Sequence, residues 1–289
     1  MNKEIKEIKL DDKNYPKLLK NIKNPPQKLY VMGNENILND NCFSIIGSRS
    51  CTENGMKTAK QYAKQLVKLG LCISSGMAKG IDTAGHIGAL EGGGKTIAVL
   101  GGGFSHIYPE ENRLLFEKII EQGAVITEYE PKQEPCGKQF IARNRIISGI
   151  AIGTLVVEAH YRSGTAITAK LALEQRRKLF SIPNQVDNKY GVGTNNLIRK
   201  GAILTRYVED IIKEFPFLKS KPICEENKAI NIPTEYQDIC KILSTETIHI
   251  NEISKKLKLD SNQTSAKLMM MELDGYVEKM PGNFFKMKE

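Results

Sequence analysis

Short apolar runs bounded by glycine alternate with longer helix-like stretches through the middle of this 289-residue chain. The runs fall at residues 43–47, 71–74, 96–100, 124–128, 154–158 and 178–183. They show no polar face of their own, so they fit strands buried on both sides of a sheet, as parallel strands are. Between them, residues 55–69, 82–90, 110–121 and 166–177 carry helical spacing and length. Alternation of this kind, at intervals of about 25 residues, predicts an α/β fold: an extended Rossmann-like, mostly parallel sheet flanked by helices. Such sheets bind ligands beyond the carboxyl ends of their strands, which directs attention to the loops there.

The flanks differ in character. Residues 1–42 read as an N-terminal lead-in, with a helix around 11–23, then Pro25-Pro26 and an apolar run at 29–32. The Rossmann-like domain is expected over 43–214. Residues 215–233 carry three prolines and no periodicity and read as a linker. Over 234–289, three helical patterns precede a hairpin turning at Pro281-Gly282-Asn283, the layout of a small C-terminal winged-helix-like domain.

Charge is distributed unevenly over these parts. The formal net charge is +9, and residues 44–206 alone hold 22 Lys+Arg against 13 Asp+Glu. Residues 234–289 hold 8 against 9, so the winged-helix-like tail is slightly acidic. An anionic partner is therefore expected on the sheet domain. No stretch is long and apolar enough to predict a membrane span, and no secretory signal is read at the N-terminus. Six cysteines lack metal-ligand spacing, and without a signal they are expected to be reduced thiols of a cytoplasmic protein. Cys42 and Cys72, in or beside strand-like runs, read as buried small hydrophobes.

Several catalytic and cofactor motifs fail on inspection. Gly94-Lys95-Thr96 resembles the end of a phosphate-loop motif, but position 89 is alanine and the segment precedes a strand. Gly101-Gly102-Gly103 lacks the third glycine of a dinucleotide fingerprint, which leaves tight chain reversal as the competing reading. No nucleophile elbow or paired-histidine zinc motif is present, and no cofactor or metal is expected.

Anion binding fits better. Gly47-Ser48-Arg49 ends the first core strand, a turn beginning Ser75-Gly76 follows the second, and Arg162-Ser163-Gly164-Thr165 precedes a helix. Small residues at a helix start let backbone N–H groups approach phosphates, and Arg49 and Arg162 can add charge-assisted bonds. The segment Phe140-Ile141-Ala142-Arg143-Asn144-Arg145 sets an aromatic beside two arginines in a helical pattern. Phe140, Arg143 and Asn144 could share one helix face, with a base on Phe140 and phosphates on Arg143 and Arg145. The competing reading puts Phe140 in the core and pairs the arginines with Glu128 or Glu158.

These strings resemble the DprA/Smf family, the DNA-processing proteins of natural transformation. The likeness runs through GSR at 47–49, SGMAKGIDTAGH at 75–86, TIAVLGGG at 96–103 and YPEEN at 108–112. It continues through RNRIISG at 143–149, VVEAHYRSGTAITA at 156–169 and GTNNLIRKGA at 193–202. The resemblance implies a homodimeric, non-enzymatic protein that binds single-stranded DNA, protects incoming strands and helps load a RecA-type recombinase. It implies a site at Gly47, Ser48, Arg49, Ser75, Gly76, Phe140, Arg143, Asn144, Arg145, Ser163 and Gly164, with Lys170 as a phosphate contact. This chain departs from the family at Asn184, where glycine is usual, and at Ile141, where proline is frequent.

Two rival readings belong to other classes. A nucleotide-handling enzyme resembling a phosphoribohydrolase would use Glu158 as acid or base and Gly164-Thr165 as phosphate cradle. Alternatively, the C-terminal domain would be the DNA reader, although its acidity predicts weak duplex binding.

Overall fold

The computed structural model describes residues 4–161, 163–218, 233, 236–243, 247–257, 259–274 and 276–287. Each predicted apolar run of the central block forms a strand, within a few residues of the expected bounds. These are β3 (Cys42–Ile46), β4 (Cys72–Ser75), β5 (Thr96–Val99), β6 (Ala124–Thr127), β7 (Ala151–Val156) and β8 (Lys178–Ser181). Between them lie α2 (Glu53–Lys68), α3 (Ile81–Glu91), α4 (Arg113–Gln122), α5 (Gly137–Gly149) and α6 (Gly164–Glu174). α7 (Val192–Arg199), β9 (Ile203–Leu204) and α8 (Val208–Ile212) complete the run.

The N-terminal segment is more than a lead-in. β1 (Ile5–Lys9) and β2 (Lys28–Gly33) add an antiparallel edge, β2 pairing with β6, and the expected helix shrinks to α1 (Lys17–Lys20). The nine-stranded order is β1-β2-β6-β5-β4-β3-β7-β8-β9, parallel from β6 to β9. Alternation along β3 sends Cys42 and Ile46 into one core layer with Ile146 and Ile147 of α5. Phe43 and Ile45 go to the other layer, with Leu66 of α2 and Ile81 of α3. Burial on both faces explains why the strands read as unbroken apolar runs. Cys42 and Cys72 are buried and lie in register on neighbouring strands.

The chain divides into two compact units, Met1–Ile223 and Cys224–Glu289. Phe215 and Leu218, at the start of the expected linker, are buried in the first unit, because a short helical turn at Pro216–Leu218 returns them to the core. Residues 219–232 of that linker lie outside the described residues. The second unit holds α9 (Gln237–Ile242), β10 (Ile248–His249), α10 (Ile250–Leu257), α11 (Ser261–Leu273), β11 (Val277–Met280) and β12 (Phe284–Met287). β12 pairs with both β10 and β11 around a core that includes Ile253, Leu268 and Phe285. Of the three adjacent methionines on α11, Met271 is buried while Met269 and Met270 are exposed. At about 100° per residue, three consecutive side chains cannot share one helix face. Among the described residues no helix is long and apolar enough to cross a membrane.

His86 of α3 is fully buried, and its Nδ1 donates to Thr96 Oγ1 at 2.7 Å, since that hydroxyl donates onward to the Ile73 carbonyl. Burial pushes its pKa down from 6.5 to about 3, helped by the nearby charge of Arg143. As pH falls below 6.5, the unfolded chain takes up a proton that the native state refuses. Stability therefore declines on acidification, by up to about 1.4 kcal/mol per pH unit from this group. Asp82 contributes with the opposite sign above its ordinary value, because burial raises its pKa. Urea midpoints at several pH values, compared with His86→Gln, isolate the histidine. The variant is expected to lose less stability between neutral and acid pH.

Candidate nucleic-acid interface

From β3 the order runs outward through β4, β5 and β6 on one side, and the chain then crosses to β7 on the other. The crevice beyond the carboxyl ends of β3 and β7 is thus the switch point at which open α/β sheets hold ligands. A groove of ≈ 440 Å³ lies there, lined by the turn after β3, the first turns of α5 and the start of α6.

The β3 turn is held rigidly. Ser48 N–H donates to the Glu158 carbonyl at 2.8 Å, and its hydroxyl donates to the Ser50 carbonyl at 2.9 Å. Arg49 projects from this turn into solvent, with Cζ 5.7 Å from the Phe140 ring centroid. Among the described residues its guanidinium has no carboxylate partner. Phe140 lies across the bare backbone of Gly101, where an added Cβ would come within 2.6 Å of its ring. Close packing therefore explains the first glycine of the 101–103 run, with no phosphate loop required. On the third wall, Ser163 caps α6 by accepting from Ala166 N–H at 3.4 Å. Among the described residues nothing fills the space where a Gly164 side chain would begin, and the helix N-terminus faces the groove. Its unpaired N–H groups and dipole favour an anion there.

Beneath the groove the polar residues serve the fold. Arg143 is 3% exposed and donates to the carbonyls of Gly76, at 2.6 Å, and Val99. Burial lowers its pKa to about 10, while Asp82 pulls the other way. A Cβ at Gly76 would lie 2.7 Å from both Arg143 Nη2 and Asp82 Oδ2, so only glycine fits between the two charges. Ser75 is buried and donates to the Ile45 carbonyl at 2.6 Å. Arg145 grips both oxygens of Glu128 at 2.6 Å and donates from Nε to the Asn24 carbonyl at 2.9 Å.

The twelve expected site residues thus separate. Gly47, Ser48, Arg49, Phe140, Arg143, Asn144, Ser163 and Gly164 line the groove, Arg143 from its buried floor. Ser75 and Gly76 sit below it. Arg145 and Lys170 are not among the lining residues, and Lys170 is exposed on α6, 3.6 Å from Glu174. Arg162 lies outside the described residues. The shared face expected for Phe140, Arg143 and Asn144 does not stand free in solvent, because it is turned toward the sheet ends, where bare carbonyls accept the guanidinium. Ile141 is exposed within a helix that begins at Gly137. Asn184, where the family usually has glycine, does not take a left-handed backbone, and its side chain accepts from Gln185 N–H at 2.8 Å. Glu158, the acid or base of the rival enzyme reading, is 3% exposed and accepts from Thr52 N–H at 2.8 Å and Thr52 Oγ1–H at 2.6 Å. It ties the β7 end to the start of α2.

Tyr108 was missed from sequence. Its ring packs on Phe140 with centroids 5.5 Å apart. It stands in the YPEEN string of the family resemblance but was not among the expected site residues, because a lone loop aromatic carries no local sign of what it packs against.

With this geometry in hand, comparison with known proteins is decisive: residues 6–216 match the family of DNA recombination-mediator protein A. The chain belongs to this family. Residues 227–283 match the DprA winged helix domain. Within the family, DNA processing protein DprA of Streptococcus pneumoniae (strain ATCC BAA-255 / R6) is 40% identical over 203 residues, 70% of this chain and 72% of that protein. Protein Smf of Escherichia coli (strain K12) is 31% identical over 288 residues, 97% of this chain and 77% of its own. The X-ray structure of the S. pneumoniae DprA has a TM-score of 0.71 at 39% identity, covering 73% of this chain and 75% of that one. A structure of DNA processing protein A from Helicobacter pylori, described for its single-stranded DNA binding mode, has a TM-score of 0.67 at 29% identity. It covers 74% of this chain and 96% of that chain.

Proposed function

We propose that this chain binds single-stranded DNA in the groove beyond β3 and β7, with little sequence preference and without turning over a substrate. One observation carries the reading: Arg49, free of any carboxylate among the described residues, stacks on Phe140 opposite the open N-terminus of α6. Phosphates would lie on Arg49 and on the N–H groups around Ser163 and Gly164, with a base against Phe140 and Asn144 beside it. Gly47 and Ser48 shape the turn that presents Arg49. Ser75, Gly76, Arg143 and Arg145 act as the frame, and Lys170 takes a phosphate where the strand leaves along α6. The H. pylori relative, whose structure is described by its single-stranded DNA binding mode, supports this reading.

Protection of incoming strands, loading of a RecA-type recombinase during natural transformation and homodimer formation are proposed from family membership. The enzyme alternative is disfavoured because its acid–base group, Glu158, is already held at both oxygens by Thr52.

Titration of the full chain with single-stranded and duplex oligonucleotides of one length tests the proposal. Single strands are expected to bind at least about tenfold tighter, with affinity falling steeply as salt rises. Equal or tighter duplex binding would transfer the site to the winged-helix domain.

A further inference from the structure

We propose that Tyr108 is a second stacking platform, taking the nucleobase next to the one held on Phe140. The inference rests on the groove reading and extends it outward. Both Arg49 and Tyr108 lie against the Phe140 ring, Arg49 Cζ 5.7 Å and the Tyr108 centroid 5.5 Å from its centroid, with the two rings tilted 50° to each other. Tyr108 is 55% exposed, although its neighbours in the loop are not free to move. Phe104 and Ile107 are buried, and Ser105 N–H donates to the Pro131 carbonyl at 3.0 Å. Asn112, also buried, donates to the Met77 carbonyl at 2.8 Å and to Thr83 Oγ1 at 2.9 Å. An exposed aromatic held this firmly offers a ready face, so little ordering cost accompanies binding.

The geometry also says how a base is held. The cavity shared by Arg49, Gly76, Lys79, Tyr108, Phe140 and Arg143 has a volume of ≈ 40 Å³. That is room for a few waters at most, far below that of a base, and the two ring centroids stand only 5.5 Å apart. Tyr108 and Phe140 therefore do not sandwich a base between them, and the second base lies on the outer face of Tyr108. Lys79 flanks this position on a solvent-exposed ion pair with Glu111 at 2.5 Å, where a passing phosphate can compete for it. Recognition is of a π face, which every base has, so tolerance of sequence is retained. The plainer role for Tyr108 is an apolar cover over Phe140, which leucine would also supply.

The test uses the full chain and oligothymidylates carrying one 2-aminopurine at successive positions, whose fluorescence falls when it stacks. The wild type is expected to quench two adjacent positions. Tyr108→Ala and Tyr108→Leu are expected to quench one and to bind about 5- to 150-fold more weakly, the range for one stacked base. Tyr108→Phe is expected to keep both. Two quenched positions and unchanged affinity in Tyr108→Ala or in Tyr108→Leu, with Arg49→Ala weakened, would overturn this proposal alone. Loss of the second position in Tyr108→Phe would overturn it by showing that the hydroxyl acts. No effect of Arg49→Ala would overturn the groove reading and this inference with it.

Discussion

Arg143→Ala is expected to destabilise the sheet domain by about 2–6 kcal/mol, because it removes the donor from two buried carbonyls at about 1–3 kcal/mol each. The guanidinium holds the turn after β4 to the end of β5 through the carbonyls of Gly76 and Val99. It also offsets the burial that raises the Asp82 pKa. Alanine leaves that carboxyl without its counter-charge and strands two carbonyls, at about 1–3 kcal/mol for each buried polar group left unsatisfied. Lysine cannot substitute, since one ammonium does not reproduce a planar fork. Urea unfolding of the full chain, followed through the larger unit's transition without DNA, gives the value. A double variant, Asp82→Asn with Arg143→Met, is expected to recover part of the loss. An unchanged midpoint in Arg143→Ala would show that this arginine is not a structural member, and would return it to the list of direct DNA contacts.

Gly164→Asp should have the opposite profile, with stability intact and binding lost. Among the described residues nothing lies within 4 Å of a Cβ built at this position. A carboxylate in the first turn of α6 is favourable to the helix by about 0.3–1 kcal/mol. Toward a phosphate seated on the same N-terminus it is repulsive, by about 1–4 kcal/mol at 4 Å between water-like and surface-like dielectric. Oligonucleotide affinity should therefore fall by about 5- to 1,000-fold, and the deficit should shrink as salt screens the pair. Gly164→Asn separates charge from shape and is expected to lose much less. Equal loss in both variants would mean that the groove rejects bulk there and holds no phosphate.

What could be read beforehand follows from the physics of each feature. The parallel core strands were legible because burial on both faces leaves apolar runs with no alternation to confuse. β1 and β2 were not, since the edge strand β1 alternates exposed charge with a single buried Ile8 and its pairing with β2 is set by tertiary register. In the candidate site, the placement of Arg49 and of the Ser163–Gly164 helix start at the groove was legible because both follow from local strand-end and helix-start patterns. Arg143 and Arg145 were not separable by spacing from solvent-facing arginines. Their partners, Gly76, Val99, Glu128 and Asn24, come from distant segments brought together by the fold. The surplus charge lies in the sheet domain, where several lysines are also held in ion pairs, such as Lys60 and Lys64 with Glu91.

The central claim is that a single strand lies on Arg49 and the α6 N-terminus. Its most direct measurement is the affinity of the full chain for a single-stranded oligonucleotide over a range of salt, beside Arg49→Ala and Gly164→Asp. Arg49→Ala is expected to bind about tenfold or more weakly, with the logarithmic salt slope reduced by about 0.7 for one lost phosphate contact. The deficit of Gly164→Asp relative to wild type is expected to be largest at low salt. Affinities and slopes indistinguishable from wild type in both variants would contradict the account.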